Sequence, residues 1–574
     1  MKKSVLAASI LAAVSGQLSA ATYQLTELPL HSGAKHTYVV DANDNGDMIG
    51  QVRGNFNRPI DVSYIDFDDS TIKKFYDDVK GEFELIDKTI TFTLEDIKNG
   101  AAATNADAND FMVRFLANRA NNAEFQKLVD GFAIRYIGNS TQEQVLFDVA
   151  SSDYDGLTRS VSNFLNALAD DGVMAGWGTA PFSKKPFTNK DNEEKLYFET
   201  PWISRGIVIT PTGEKITLEP KYTEFGGMSK AMDIAKLDDG SYLVAGQSSV
   251  AIAKASQEIF DDNCDGEDES VAVCTWIRQL GSFFMTNGYI WKLDQNFNVV
   301  DTTDLGLGLT PNDNEEGAYV SGALAINKNG IAVGFSPVRF EDNKDYEHIV
   351  AGYFKDGGFH AAPKVIKSYE NGKATDINDH NVMVGFQQRE IPGGARSVVG
   401  FYYDIDSGES KDIQGFFPGS DVAVTSINNA GVLVGQAEVD RNTQNSRREA
   451  FLYKIGDEKI TNINNLLPCK DPATGENFKY TVAEANKITD GNVIYGTATK
   501  TVEKRDSLGN VVKDVDGKTE YESIAVPVVL TPISGEVESC LAPEVEKYER
   551  QSASWGWLTV LLAPLVAWRR RQVK

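Results

Sequence analysis

Ile427-Asn428-Asn429-Ala430-Gly431-Val432-Leu433-Val434-Gly435 decides the fold, because the chain writes this phrase repeatedly. It recurs as Ile377-Asn378-Asp379-His380-Asn381-Val382-Met383-Val384-Gly385 and as Ile326-Asn327-Lys328-Asn329-Gly330-Ile331-Ala332-Val333-Gly334. Looser copies end at Gly50, Gly176, Gly246 and Gly496. Seven copies at a basic period near 50 residues predict an all-β, seven-bladed propeller spanning 21–540. The three degenerate early copies leave six or eight units open.

Working outward from 420–467, each unit supplies four short strands. Val422 to Ile427 is the first, Asn428 to Gly431 a turn and Val432 to Gly435 the second. A polar loop leads to Ala450-Phe451-Leu452-Tyr453, whose aromatics suit a sheet face, and Ile460 to Ile463 ends the unit. The glycine closing each second strand is expected where neighbouring blades crowd together. Tyr23 to Pro29 matches the fourth strand of a unit, whereas the seventh unit stops after its third, near Glu536. The N-terminal strand is therefore expected to complete the last blade and remove an open edge.

The spacing from Gly50 to Gly176 is too long for one unit, and the excess predicts a mainly helical insertion over 82–165 between the first two blades. Helices are expected at Asp110–Ala120, with Phe111, Phe115 and Leu116 on one face, at Asn122–Val129, and from Leu157 to Leu168. Thr89–Leu94 reads as a strand.

Both ends read as addresses. Lys2, Lys3, the apolar run Val5–Val14 and the small residues before Ala21 make 1–20 a secretory signal peptide. After a linker at 541–553, segment 554–574 is a hydrophobic sorting helix: Trp555 to Trp568 is apolar and Arg569-Arg570-Arg571 follows. That run is short for a span of about 20 residues, but its tryptophans and arginines look like interface anchors and a cytoplasmic stop.

The chain carries 56 basic and 82 acidic residues, a net charge of −26. Taking the six basic residues of the two end segments from 56 leaves 50 against 82, or −32, for the body. Such a body repels phosphate backbones, so no nucleic-acid partner is expected. The even count of four cysteines in an exported chain predicts two disulfides, Cys264–Cys274 and Cys469–Cys540.

Chemistry-bearing motifs are sparse. Asp261, Asn263, Asp265, Glu267 and Glu269 alternate oxygen ligands around Gly266 in the manner of a calcium loop, although Ala272 stands where a twelfth-position acid is needed. Asp41 to Asp47 is a thinner version. No cofactor other than calcium is implied. The five histidines are scattered, and neither a phosphate loop nor a Gly-x-Ser-x-Gly elbow is present. No catalytic residue is nominated.

The phrase Ile-Asn-x-x-Gly-x-x-Val-Gly followed by an aromatic strand resembles the extracellular repeats named for His-Ala-Phe. Ala450-Phe451-Leu452-Tyr453 is the nearest match, with Glu449 in place of the histidine. The whole chain looks like an uncharacterised family of Vibrio- and Shewanella-like bacteria, domain of unknown function 3466. Its tail resembles their C-terminal sorting signals, with Ser552-Ala553-Ser554-Trp555-Gly556 where a glycine pair is usual. That resemblance implies a sorting protease, type II secretion, membrane attachment before processing, and an outer-surface or extracellular destination. Two functions are carried forward. One is a non-enzymatic surface or secreted propeller binding an extracellular protein or glycan. The other is an extracellular hydrolase or lyase acting on a polymer at the funnel.

Overall fold

The computed structural model describes residues 22–535 except 153–155, 313–314, 341–342, 364–368, 391–395, 441–445, 471–474 and 477. Seven four-stranded antiparallel sheets follow one another along the chain and form a seven-bladed propeller. The innermost strands are Ala34–Ala42, Asn163–Leu168, Ser229–Lys236, Gly322–Ile326, Tyr369–Ile377, Val422–Ile427 and Thr481–Ile488. We number the blades 1 to 7 in that order. Each blade then steps outward through its second, third and fourth strands.

A single sheet of this size has two apolar faces and can shield neither alone; packed blades bury both. Between blades 2 and 3, for example, Val173, Val208, Tyr242, Val244 and Trp291 form one buried cluster. The ring closes as expected. Thr22–Glu27 pairs antiparallel with Tyr521–Ile533, from Thr22 opposite Ile533 to Glu27 opposite Val528. Thr22–Glu27 thus supplies the fourth, outermost strand of blade 7.

The insertion differs from expectation in place and content. It lies within blade 1, between second strand Met48–Asn55 and third strand Gly131–Ile137, and therefore precedes the predicted 82–165 at both ends. The repeated phrase marks only a unit's first two strands, so the third strand of blade 1, displaced along the chain, carried no recognisable label. The helix Ala106–Ala117 buries Phe111, Phe115 and Leu116 as expected. It packs with a longer helix, Ser70–Leu85, whose N-terminus is capped by Asp69. Asn122–Val129 is not helical. Thr93 begins the short helix Leu94–Lys98 through a capping box, where a strand was expected. The segment ending at Leu168 is the inner strand of blade 2, because a bulge at Asn166 breaks the two-residue alternation and imitates helical spacing.

Cys264 and Cys274 form the expected disulfide. Cys469 is also disulfide-bonded, and its expected partner Cys540 lies outside the described residues. The expected signal peptide at 1–20 and tail at 554–574 likewise lie outside them. No helix among the described residues is long and apolar enough to cross a membrane.

Candidate functional site

One local device, repeated seven times, builds the axis. In every blade the inner strand slips register by one residue just beyond the partner of the signature glycine: Val39/Asp41, Leu165/Ala167, Ala231/Asp233, Ala323/Ala325, Ala374/Asp376, Val424/Ser426 and Ala485/Lys487. The glycine is required by this bulge. A Cβ on Gly435 would lie 2.1 Å from the carbonyl oxygen of Ala423, and one on Gly246 1.8 Å from that of Lys230. The clash is with the glycine's own inner strand, which corrects the expectation of crowding by the neighbouring blade.

The signature asparagine that follows serves two blades at once. Asn428 Oδ1 accepts from the N–H groups of Ala430 (3.1 Å) and Val432 (2.9 Å), closing its own turn. Its amide donates to the carbonyl of Thr489 in blade 7 at 3.0 Å. Asn378 donates likewise to Asn428 O, Asn327 to Asn378 O, and Asn43 to Ala169 O.

The bulge places equivalent residues around the axis near the face where the inner strands end: Asp41, Ala167, Asp233, Ala325, Asp376, Ser426 and Lys487. Asp41, Asp233, Asp376 and Lys487, together with the turns, line a space of about 190 Å³. Each aspartate accepts an N–H from the following blade: Asp41 from Leu168 at 2.8 Å, Asp233 from Ile326 at 2.7 Å, Asp376 from Ile427 at 2.9 Å. Lys487 Nζ lies 3.5 Å from Asp41 and joins blade 7 to blade 1.

Burial raises Asp41, and it pushes Asp233 up to about 6 against the partial opposition of Lys487. Lys487 is raised, first by Asp41, so it remains the cation among the carboxylates. Its side chain keeps 33% of its surface accessible although protein encloses it; that surface is the wall of the axial space. Among the described residues, no group of three or more His, Cys, Asp and Glu is placed to hold a metal.

The opposite mouth of the axis has different chemistry. Two residues before each bulge the ring reads Tyr38, Phe164, Lys230, Gly322, Lys373, Ala423 and Glu484. On the side of blades 6, 7, 1 and 2 a cavity of about 580 Å³ is lined by Tyr38, Gln51, Arg53, Phe164, Asn166 and Glu484, among others. On the far side Lys230 Nζ stands 4.2 Å from the Trp177 ring centroid, and Lys373 Nζ 4.9 Å from that of Phe335. Phe164 and Trp177 pack with ring planes tilted by 31° and centroids 4.7 Å apart. Burial lowers the Lys230 ammonium, with no charged neighbour to offset it. Among the described residues no carboxylate forms an ion pair with Lys230, Lys373 or Arg53.

Loops joining second and third strands open on this same face, because successive strands run antiparallel. In blades 7, 1, 2 and 3 they are enlarged and pack on one another. The blade 1 insertion meets the blade 2 hairpin Ser183–Thr188/Glu194–Glu199 through Phe198 N to Ala123 O (2.7 Å) and the Lys184–Asp61 pair (2.7 Å). The hairpin meets the disulfide-linked helices Lys254–Asn263 and Val271–Gln279 of blade 3 through Lys190 N to Glu267 O (2.9 Å). The blade 7 loop joins through Asn57 N to Ser507 O (2.8 Å).

The calcium candidates lie in this cap. Asp261 and Asn263 end a helix, where Asp261 accepts from Gln257 and Asn263 donates to the Ile259 carbonyl. Asp265 caps the Glu267 N–H, and burial raises Glu269. These five are not gathered around one point. Of the axial carboxylates the sequence singled out only Asp41, as part of a thin calcium-like run; Asp233, Asp376, Lys487 and the lysine–aromatic mouth carried no motif. The only signal for them was their constant offset from the repeated glycine.

Fold and axis define a closed propeller of seven bulged repeats with a charged plug at one end and an aromatic, basic mouth at the other. The chain belongs to the family described as a protein of unknown function, DUF3466, whose model matches residues 1–571. No curated protein matches it. Among solved structures it is similar to the β-propeller domain of the Trilobed protease from Pyrococcus furiosus, at 11% identity over 67% of this chain and 98% of that one, TM-score 0.30. It is also similar to Trypanosoma rangeli sialidase (10%, 70% and 57%, TM-score 0.24) and to prolyl oligopeptidase B from Galerina marginata (11%, 86% and 60%, TM-score 0.29).

Proposed function

We propose that this chain is an exported, non-enzymatic propeller that binds an extracellular protein or glycan at the funnel mouth on the capped face. One observation carries the reading: Arg53, Lys230 and Lys373, cations without carboxylate partners among the described residues, stand on the face where Tyr38, Phe164, Trp177 and Phe335 offer aromatic planes, in a chain of net charge −26. Pockets that combine apolar walls with a few polar groups are where proteins seat ligands. The charged plug at the other end is read as structural, since each of its carboxylates accepts an N–H from the adjacent blade. Export is supported by the Cys264–Cys274 bond, which suits an oxidising compartment. The signal, the cleaved tail and the type II route rest on sequence alone.

The test is titration of the mature chain with cell-surface protein and polysaccharide fractions, following Trp177 fluorescence against a Trp177→Phe control. Saturable change with the ligand recovered at unaltered mass is expected; conversion of the ligand refutes the reading. Mass spectrometry of the exported form is expected to begin at Ala21 and to lack Arg569-Arg570-Arg571; an intact tail defeats the sorting claim.

A second reading, the extracellular hydrolase or lyase, draws on Asp233, whose value of about 6 lies where a general acid works. It predicts polymer cleavage abolished by Asp233→Asn.

A further inference from the structure

We infer that the capped mouth of the axis takes a carboxylated sugar unit, such as a uronic acid residue of an acidic polysaccharide. The inference rests on the binding reading above and names its ligand class. The central position is Gly322. It occupies the ring position between Lys230 and Lys373, so no side chain of blade 4's inner strand separates the two lysines at that level. Phe335 and the Gln247 amide fill part of that space, 2.8 and 2.9 Å from where a Gly322 Cβ would stand. Lys373 lies over the Phe335 ring, as Lys230 lies over Trp177.

Aromatic faces therefore hold both ammonium groups in place and leave their charge uncompensated. A carboxylate that reaches either ammonium gains a charge-assisted hydrogen bond without first displacing an internal carboxylate. Burial at Lys230 adds to this gain, because the bare ammonium is disfavoured there and an anion relieves the penalty.

The other half of the mouth suits the rest of a sugar. Tyr38 and Phe164 present ring surface for the apolar C–H face of a pyranose. Glu484, also without an ion-pair partner among the described residues, accepts from hydroxyls. The cavity of about 580 Å³ falls in the usual range of roughly 300–1,000 Å³ for small-molecule sites. The acidic body decides against denser polyanions. It repels a phosphodiester chain along its whole length, whereas a single sugar carboxylate meets only the local cations.

The test is calorimetric titration of the full mature chain with a mannuronate trimer and with its carboxyl-reduced, neutral counterpart. The acidic trimer is expected to saturate one site, and the neutral trimer to bind at least tenfold more weakly. Lys230→Ala and Lys373→Ala are each expected to weaken the acidic trimer at least tenfold, with Lys230→Arg restoring most of the loss and unfolding midpoints matching the parent. Equal affinity for both trimers overturns the carboxylate claim and leaves the binding reading standing. So does failure of both trimers while surface fractions still bind. Lysine variants that bind normally place the site elsewhere and overturn the inference. Failure of trimers and surface fractions together overturns the inference and the binding reading.

Discussion

Replacing Asp233 by asparagine is expected to stabilise the propeller, and only above about pH 4. Asp233 is held on the axis by the Ile326 N–H, which an asparagine Oδ1 can also accept. What asparagine removes is a charge that burial disfavours. Burial pushes the folded carboxyl up to about 6 from its ordinary 3.8. The folded state therefore binds the proton more tightly than the unfolded chain does. The group's contribution is most favourable below 3.8, is lost as pH rises towards 6, and is fully unfavourable above that. At about 1.36 kcal/mol per unit the shift corresponds to roughly 3 kcal/mol. Water in the axial space screens part of it, which leaves an expected gain of about 1–3 kcal/mol at pH 7–8. The assay is urea unfolding of parent and Asp233→Asn from pH 3.5 to 8. The difference should be near zero below pH 4, grow between 4 and 6, and then level off. A variant less stable than the parent at pH 8, or a pH-independent difference, refutes the account of a carboxylate whose burial outweighs its partners.

Three further outcomes follow from the same ring. Lys487→Met removes the cation beside Asp41 and strands buried carboxylates, so it should cost about 3–5 kcal/mol at pH 7, with a smaller cost at pH 4 in the same unfolding series. Asn428→Ala strips the buried Val432 N–H of its side-chain acceptor, frees the Ala430 N–H and removes one of two donors to the Thr489 carbonyl, which keeps the Asn492 N–H, and a loss of about 1–3 kcal/mol is expected; hydrogen exchange should localise it to blades 6 and 7. Deleting 22–27 bares the edge of Tyr521–Ile533, and light scattering should detect concentration-dependent association absent from the parent.

The sequence by itself determined the repeat, pointed to seven blades and named the closing strand. All three follow from a local pattern of apolar alternation, turn residues and glycine written into each unit. The helix around Phe111 and Phe115 was legible for the same reason: its apolar spacing is a local property. Tertiary structure alone decided the rest. The segment ending at Leu168 has helical spacing in one dimension but is a bulged strand in three, because pairing with Met174–Gly178 outweighs its periodicity. Asp41, Asp233, Asp376 and Lys487 are separated along the chain by 111 to 446 positions and look like solvated charges. Only the closing of seven bulges around one axis removes them from bulk water and makes them partners. The same closure brings Lys230 and Lys373 to either side of Gly322, so the mouth's charge belongs to the ring and to no single repeat.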